Sequence, residues 1–244
     1  VSSVRLRGPV EFQESGSPAV FTASGKDWGG VILDAPGTRY EIRNARFSRA
    51  NEFYRDGKRY TAALTILAPA ECLVHDNVFF DNYGDDGLNI RGGGAQVTRN
   101  LFFGNRDAMD FDAMKVFVAE NLVLGSLDDC IDFGAVPRAH LRKNLILGSG
   151  DKGVSVGEGS SVQVESTLLG DNNTGLAVKE GSAALLVDSI LRRNRIALSV
   201  YRTPQARADA SDGTLRGVGV EDGNEALLQK DGAPRTPRPE ELVF

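Results

Sequence analysis

Nine aspartates, Asp85, Asp86, Asp107, Asp110, Asp112, Asp128, Asp129, Asp132 and Asp151, fall in one stretch of the chain together with Lys152. Carboxylates gathered at one place can hold a divalent cation, share a proton as an acid–base pair, or pair with lysine and arginine. Asp110 and Asp132 stand 22 residues apart, and Asp128-Asp129-x-x-Asp132 packs three carboxylates into five positions. An irregular cage of oxygen donors suits Ca²⁺ better than Mg²⁺ or Zn²⁺. Asp107, Asp110, Asp128, Asp129 and Asp132 are therefore the candidate calcium ligands. Asp110, Asp112, Asp129 and Asp132 are also candidates for the acid and base of an inverting glycoside hydrolase. Lys152 is a candidate proton acceptor, or else a salt-bridge cap on Asp129 and Asp151. Neighbouring carboxylates favour its charged form, which is the wrong direction for a base unless a metal cancels their field.

Such chemistry requires a fold that sets residues about one repeat apart side by side, and the chain carries that repeat from residue 61 to 201. Leu88, Met109, Ile131, Val154, Leu176 and Leu198 follow one another at steps of 21, 22, 23, 22 and 22 residues. Asn77, Asn100, Asn121, Asn144, Ser166 and Ser189 form a second register, and Asn82, Asn105, Ser126, Ser149, Asp171 and Asn194 a third, five residues further on. Each central apolar residue has another two positions later, from Ile90 through Phe111 and Phe133 to Val200. That is the period of a strand with one buried face, and no stretch shows helical spacing. A coil of this length with two or three short strands is one turn of a parallel β-helix, an all-β solenoid whose rungs pair at ~4.8 Å. In register, Asp110 and Asp132 sit ~5 Å apart and repel by roughly 3 kcal/mol at an effective dielectric near 20, so something must compensate them. The asparagine register reads as a corner fitting, hydrogen-bonded above and below and tolerant of a left-handed backbone. Gly87, Ala108, Cys130, Gly153, Gly175 and Ala197 precede the central apolar residues and mark a crowded bend, with Cys130 a filler rather than a nucleophile.

The ends are less regular. Residues 1–60 read as irregular coils with strand-like pieces at 4–12, 31–33 and 40–47. Asn44 and Phe47 echo the asparagine register, and an insertion near 49–60 projects as a loop. Residues 202–244 read as a tail packing over or beyond the last coil. The start at Val1 without methionine suggests a processed or excised piece of a larger protein. A net charge of -5 gives no basic footprint for nucleic acid. No apolar run reaches the ~18 residues of a membrane span, and two cysteines cannot build a disulfide framework.

Repeated V-x-x-N-x-F/V followed by short Gly- and Asp-rich strands resembles the right-handed parallel β-helix of the pectin-lyase-like superfamily. Locally, Asp128-Asp129-x-x-Asp132 with an Asp from the preceding coil is similar to the calcium site of family 9 pectate lyases. That resemblance implies a Ca²⁺ cofactor, an acidic polysaccharide as partner, β-elimination or C5 epimerisation with Lys152 as the base, and an extracellular, periplasmic or cell-surface location. Arg91 and Arg106 are candidates to bind an acidic sugar, and Ser155, Glu158, Lys179, Tyr201 and Arg202 extend the same edge as a shallow saccharide groove. The competing expectation is a noncatalytic β-helix module of a larger surface protein.

Overall fold

The computed structural model describes residues 4–6, 17–25, 28–201, 214–224, 226–230 and 233–235. Among them the chain forms strands and turns with no helix. Each coil contributes one strand to each of three faces. On the first face, Val31–Leu33, Ala62–Leu67, Asp86–Arg91, Asp107–Asp112, Ile131–Gly134, Lys152–Gly157, Thr174–Lys179 and Ile196–Tyr201 pair in parallel, rung upon rung. The second face runs from Arg39–Arg43 through Glu71–His75, Gly94–Thr98, Lys115–Ala119 and Ala139–Arg142 to Ser161–Glu165. The third runs from Ala45–Ser48 through Val78–Phe80, Leu101–Phe103, Leu122–Leu124 and Leu145–Leu147 to Leu168–Gly170. The long strand Ala183–Arg192 belongs to both of these faces and joins them in one sheet. This is the parallel β-helix that the period requires.

The interior is built from columns of like residues. Leu88, Met109, Ile131, Val154, Leu176 and Leu198 are register partners in turn, and all are buried. Phe21, Phe47, Phe79 and Phe102 stack at 4.9, 4.8 and 4.7 Å with nearly parallel rings, which is the rung spacing of a sheet. Such pairs add about 0.5–1.5 kcal/mol beyond their burial.

At one corner the asparagines form a hydrogen-bonded ladder. Asn121 Nδ2 donates to Val97 O at 2.9 Å and to Asn144 Oδ1 at 3.0 Å, while Asn121 Oδ1 accepts from the backbone N–H of Asn100 at 2.9 Å. The left-handed backbone lies one residue earlier, at Asp76, Arg99, Glu120, Lys143, Ser166 and Asp188. Three assignments from the repeat therefore move by one. Thr167, not Ser166, continues the ladder by accepting from Asn144 N–H at 3.3 Å. At the next corner Asn172, not Asp171, pairs with Asn194 at 3.0 Å. Asn44 likewise takes the left-handed turn position, and it is Ala45 N–H that donates to Asn77 Oδ1. Because a hydroxyl or amide one residue away satisfies a two-ladder count equally well, spacing alone did not separate them.

The insertion near 49–60 folds as an antiparallel hairpin of Phe53–Arg55 and Lys58–Tyr60. It does not project freely: Phe53 and Tyr60 stack at 5.1 Å and bury Ile32 on the outer side of the first face. Of the segment read as a tail, residues 214–224, 226–230 and 233–235 continue beyond the last regular coil, and the rest lies outside the described residues. Thr214–Asp222 pairs in parallel with Ala183–Arg192, Ala226–Lys230 pairs with Ile196–Tyr201, and Asn224 Oδ1 accepts from Asn194 Nδ2 at 3.0 Å. A further coil thus continues the helix, followed by the antiparallel strand Ala233–Arg235.

Two substitutions test this construction by urea denaturation. Phe102→Ala should cost about 3–5 kcal/mol, because the stacked ring leaves a cavity between fixed rungs. Asn121→Ala should cost about 1–3 kcal/mol for each buried backbone group it leaves unpaired. A loss below about 1 kcal/mol for either would contradict the stacked interior.

Candidate functional site

The alternation that buries Leu88 and Ile90 turns the residue between them outward. On successive rungs of the first face this outer row reads Thr65, Asn89, Asp110, Asp132, Ser155, Ala177 and Ser199, each the register partner of the next. One row beside it reads Arg91, Asp112, Gly134, Gly157, Lys179 and Tyr201. The other borders the bend and includes Asp86, Asp107, Asp129, Lys152 and Thr174. The repeat thus brings Asp110 and Asp132 onto neighbouring rungs, as their spacing implied.

The outer row is nevertheless enclosed, since Asn89 and Ser155 are 0% exposed. Among the described residues Thr65 Oγ1, Asn89 Oδ1, Asp132 Oδ1 and Ser155 Oγ have no hydrogen-bond partner. An unsatisfied buried polar atom costs about 1–3 kcal/mol, so four of them along one row are a costly arrangement for a mere scaffold. Asn89 Nδ2 donates to Asp110 Oδ2 at 2.6 Å, which orients that carboxyl. Sequence reasoning left Asn89 and Thr65 out of the site. Asn89 was detectable from its register with Asp110, whereas the hairpin before Ala62 hid the step to Thr65.

Burial dominates the electrostatics. Burial, reinforced by the charges of Asp86, Asp112 and Asp132, holds the Asp110 carboxyl far above the usual carboxylate range. Asp86 is raised by the same cause, with Asp85 adding repulsion. Asp107 is pushed up to about 8 by burial, although its Oδ1 accepts the Asp129 N–H at 2.8 Å. Asp129 reaches about 6, with burial opposed by the ammonium of Lys152. Asp112 is raised by burial, against the pull of Arg91.

Lys152 sits as a salt-bridge cap between two carboxylates. Its Nζ lies 3.2 Å from Asp129 Oδ1 and also contacts Asp151. These carboxylates outweigh the effect of burial and raise its pKa above the ordinary lysine value. A base must be able to lose its proton near the working pH, and this ammonium is held in the charged form. The five-carboxylate calcium set is also not assembled as one cage. Asp107 is used by a backbone N–H, and Arg106 bridges Asp85 at 3.4 Å and Asp128 at 3.6 Å. Among the described residues, the carboxylates whose oxygens come within 4.8 Å of one another are Asp128, Asp129 and Asp151. Their oxygen chemistry is that of a calcium ligand set, and Lys152 supplies positive charge beside Asp129 and Asp151.

The remaining candidates spread along the face. Arg91 lies 4.0 Å from Asp112. Glu158, in a left-handed turn, reaches toward Gly134, and Lys179 spans Gly157. Tyr201 neighbours Lys179 on the next rung, and its phenol is raised by burial. Arg202 lies outside the described residues. Cys130 is fully buried with its thiol pushed up to about 12 by burial, as befits a filler. Trp28 packs the early coils, donating to Ser48 O at 2.8 Å.

The raised carboxyls make stability depend on pH. Their folded pKa values exceed the unfolded ~4, so the folded state holds these protons more tightly. The stability they contribute is full below about pH 4 and is lost as pH climbs through about 8. The melting temperature should therefore fall between pH 5 and 8 in a thermal scan, and Asp110→Asn should flatten the decline. A melting temperature that rises across this interval would contradict the burial of these groups. Calcium at millimolar concentration should raise the melting temperature of Lys152→Met by several degrees and that of the parent by little. Equal shifts would show that Lys152 does not occupy the cation position.

The family model described as the right handed beta helix region matches residues 29–209. Among solved structures, the chain is similar to the full-length tailspike protein 2 from Escherichia coli O157:H7 bacteriophage CAB120, with a TM-score of 0.54 and 11% identity. It is also similar to the enzymatically active domain of bacteriophage CBA120 tailspike protein 2, with a TM-score of 0.53 and 12% identity. Both alignments cover 94% of this chain but only 37% and 42% of those chains, so the likeness extends over about two fifths of their length. No curated protein matches the sequence. With the match spanning most of the chain and the stacked rungs as described, this protein belongs to the right-handed β-helix family.

Proposed function

We propose that this chain is a carbohydrate-active β-helix that hydrolyses a glycosidic bond over the first face, with Asp110 as the acid and Asp132 as the carboxylate opposite it. The observation that carries the reading is the pairing of these residues on neighbouring rungs, beside buried polar atoms of Asn89, Asp132 and Ser155 that have no partner in the protein. Asp110 and Asp132 are the part-exposed members of that row, where a hydroxyl-rich ligand can reach. Burial and repulsion keep a proton on Asp110 at neutral pH, which is the state a general acid needs before it protonates a leaving oxygen. Rungs in a parallel sheet lie ~4.8 Å apart. That is close to the 5–5.5 Å carboxyl separation of retaining enzymes and shorter than the 6.5–9.5 Å of inverting ones. Carboxyl groups that keep the rung spacing would make Asp132 the nucleophile and give retention of configuration rather than inversion. The likeness to a domain described as enzymatically active supports catalysis on this scaffold.

β-Elimination is the weaker reading, because Lys152 is committed to Asp129 and Asp151. The charge pattern also bears on the substrate. Arg59, Arg91, Arg106 and Lys152 each face carboxylates already. These pairings favour an uncharged sugar ring over Asp110 and Asp132. On this reading the protein would meet its polysaccharide at a cell surface, in a periplasm or outside the cell.

A polysaccharide panel assayed for both reducing ends and unsaturated uronate absorbance tests this. Reducing ends without that absorbance are expected, and Asp110→Asn or Asp132→Asn should each lower the rate at least a hundredfold, the scale of general acid–base catalysis. Unsaturated product would establish elimination instead. Full activity in Asp110→Asn would remove the proposed acid.

A further inference from the structure

The second face carries a groove of about 680 Å³ whose lining includes Arg39, Glu71, Gly94, Lys115, Phe117 and Arg138. Its volume is that of a small-ligand site, and it is built from a different face of the helix than Asp110 and Asp132. Lys115 is the register partner of Gly94, and Val116 pairs with Ala139 while its N–H donates to Arg138 O at 3.0 Å. Lys115 and Arg138 therefore stand on consecutive rungs of one outer row, ~5 Å apart at the backbone.

Elsewhere on this face the cations are neutralised. Arg39 meets Glu71 at 2.8 Å, Arg99 meets Asp76 at 2.8 Å, and Arg142 and His140 both meet Glu165. Among the described residues, neither Lys115 nor Arg138 has a carboxylate within 4.0 Å, and the groove's Glu71 is taken by Arg39, so two exposed positive charges stand on adjacent rungs without a partner of their own. This is the same like-on-like stacking that burdens the acidic face, with the opposite sign. One anionic group between them relieves it.

The remaining lining says what carries that anion. Phe117 and His140 are neighbouring rungs in the adjacent row, with ring centroids 5.7 Å apart in an edge-to-face arrangement, and both are half-buried. Gln96 Nε2 is fixed by Glu71 Oε1 at 3.1 Å. Gly94 leaves its rung without a side chain, and the space above it is open, the nearest atom to an added Cβ being Ala70 O at 3.7 Å. A pyranose ring with its C–H face over Gly94 and against Phe117, and its acidic substituent toward Lys115 and Arg138, satisfies all of these features. We infer that this groove is a binding site for an acidic saccharide residue, either a uronate or a sulfated sugar. The inference rests on this face alone and does not depend on the hydrolysis proposed for the first.

Isothermal calorimetry with oligogalacturonate, oligoalginate and a heparin-derived oligosaccharide tests it, with a neutral oligogalactan and inorganic sulfate as comparison ligands. At least one acidic oligosaccharide should bind, more weakly as salt rises, and at least tenfold more tightly than the neutral oligosaccharide or sulfate. Lys115→Gln with Arg138→Gln should weaken that binding at least tenfold. Gly94→Leu should abolish it by filling the groove while leaving both cations in place. Matching melting temperatures would show that the variants are folded. The inference is overturned if none of the acidic probes binds, if the neutral oligosaccharide or sulfate binds as tightly, or if the variants keep the parent affinity. Hydrolysis by the parent protein, measured separately, is unaffected by any of these outcomes.

Discussion

Every coil of this protein hydrogen-bonds in register to the coil above and below, so each residue must live beside its own counterparts. That single constraint selects what the chain can afford at every position. Inside, it rewards identical shapes, and phenylalanine stacks on phenylalanine at the spacing of the rungs. At the corner it rewards asparagine, whose amide donates to one neighbour and accepts from the other. Backbone groups that a tight turn would orphan are thereby satisfied, as buried polar groups must be.

On the outside the same constraint has the opposite effect on charge. A column of carboxylates repels itself, and the protein answers in three local ways. Asp76, Asp85 and Asp128 face arginines, Asp129 and Asp151 share Lys152, and the Asp110 carboxyl stays protonated. The third answer is available only where burial makes ionisation costly. In the bend row Asp107 and Asp129 have partners, whereas polar atoms of Asp86 in that row and of Asn89, Asp132 and Ser155 in the central row lack them. Among the described residues, unpartnered buried polar atoms of Thr65, Asp86, Asn89, Arg91, Asp132 and Ser155 gather on this one face, where buried polar groups are ordinarily paired.

Much of this was legible in the sequence because the period converts distance along the chain into adjacency in space. The interior column from Leu88 to Leu198 and the stacking of Asp110 on Asp132 follow from counting residues. What counting missed has physical reasons. Ser166 and Thr167, or Asp171 and Asn172, are neighbouring polar residues at a corner, and only the backbone angle decides which of the two turns inward. The coil beyond Tyr201 has no recognisable period, yet Asn224 still continues the ladder from Asn194. Lys152 was ambiguous because its protonation depends on how close Asp129 and Asp151 come, which composition does not reveal. The basic pair of Lys115 and Arg138 lay unnoticed in a row whose other charges cancel.

The hairpin of Phe53–Arg55 and Lys58–Tyr60 shows where such a chain can change length. Within a strand, one added residue would turn every following side chain to the wrong side. Between strands no such rule applies, and this hairpin leaves the third face after Ala45–Ser48 and rejoins the first at Ala62–Leu67 with the register of both intact. The corners are thus the evolvable parts of the architecture. New loops can be grafted there to reshape the outer face, one coil at a time, while the stacked interior stays as it is.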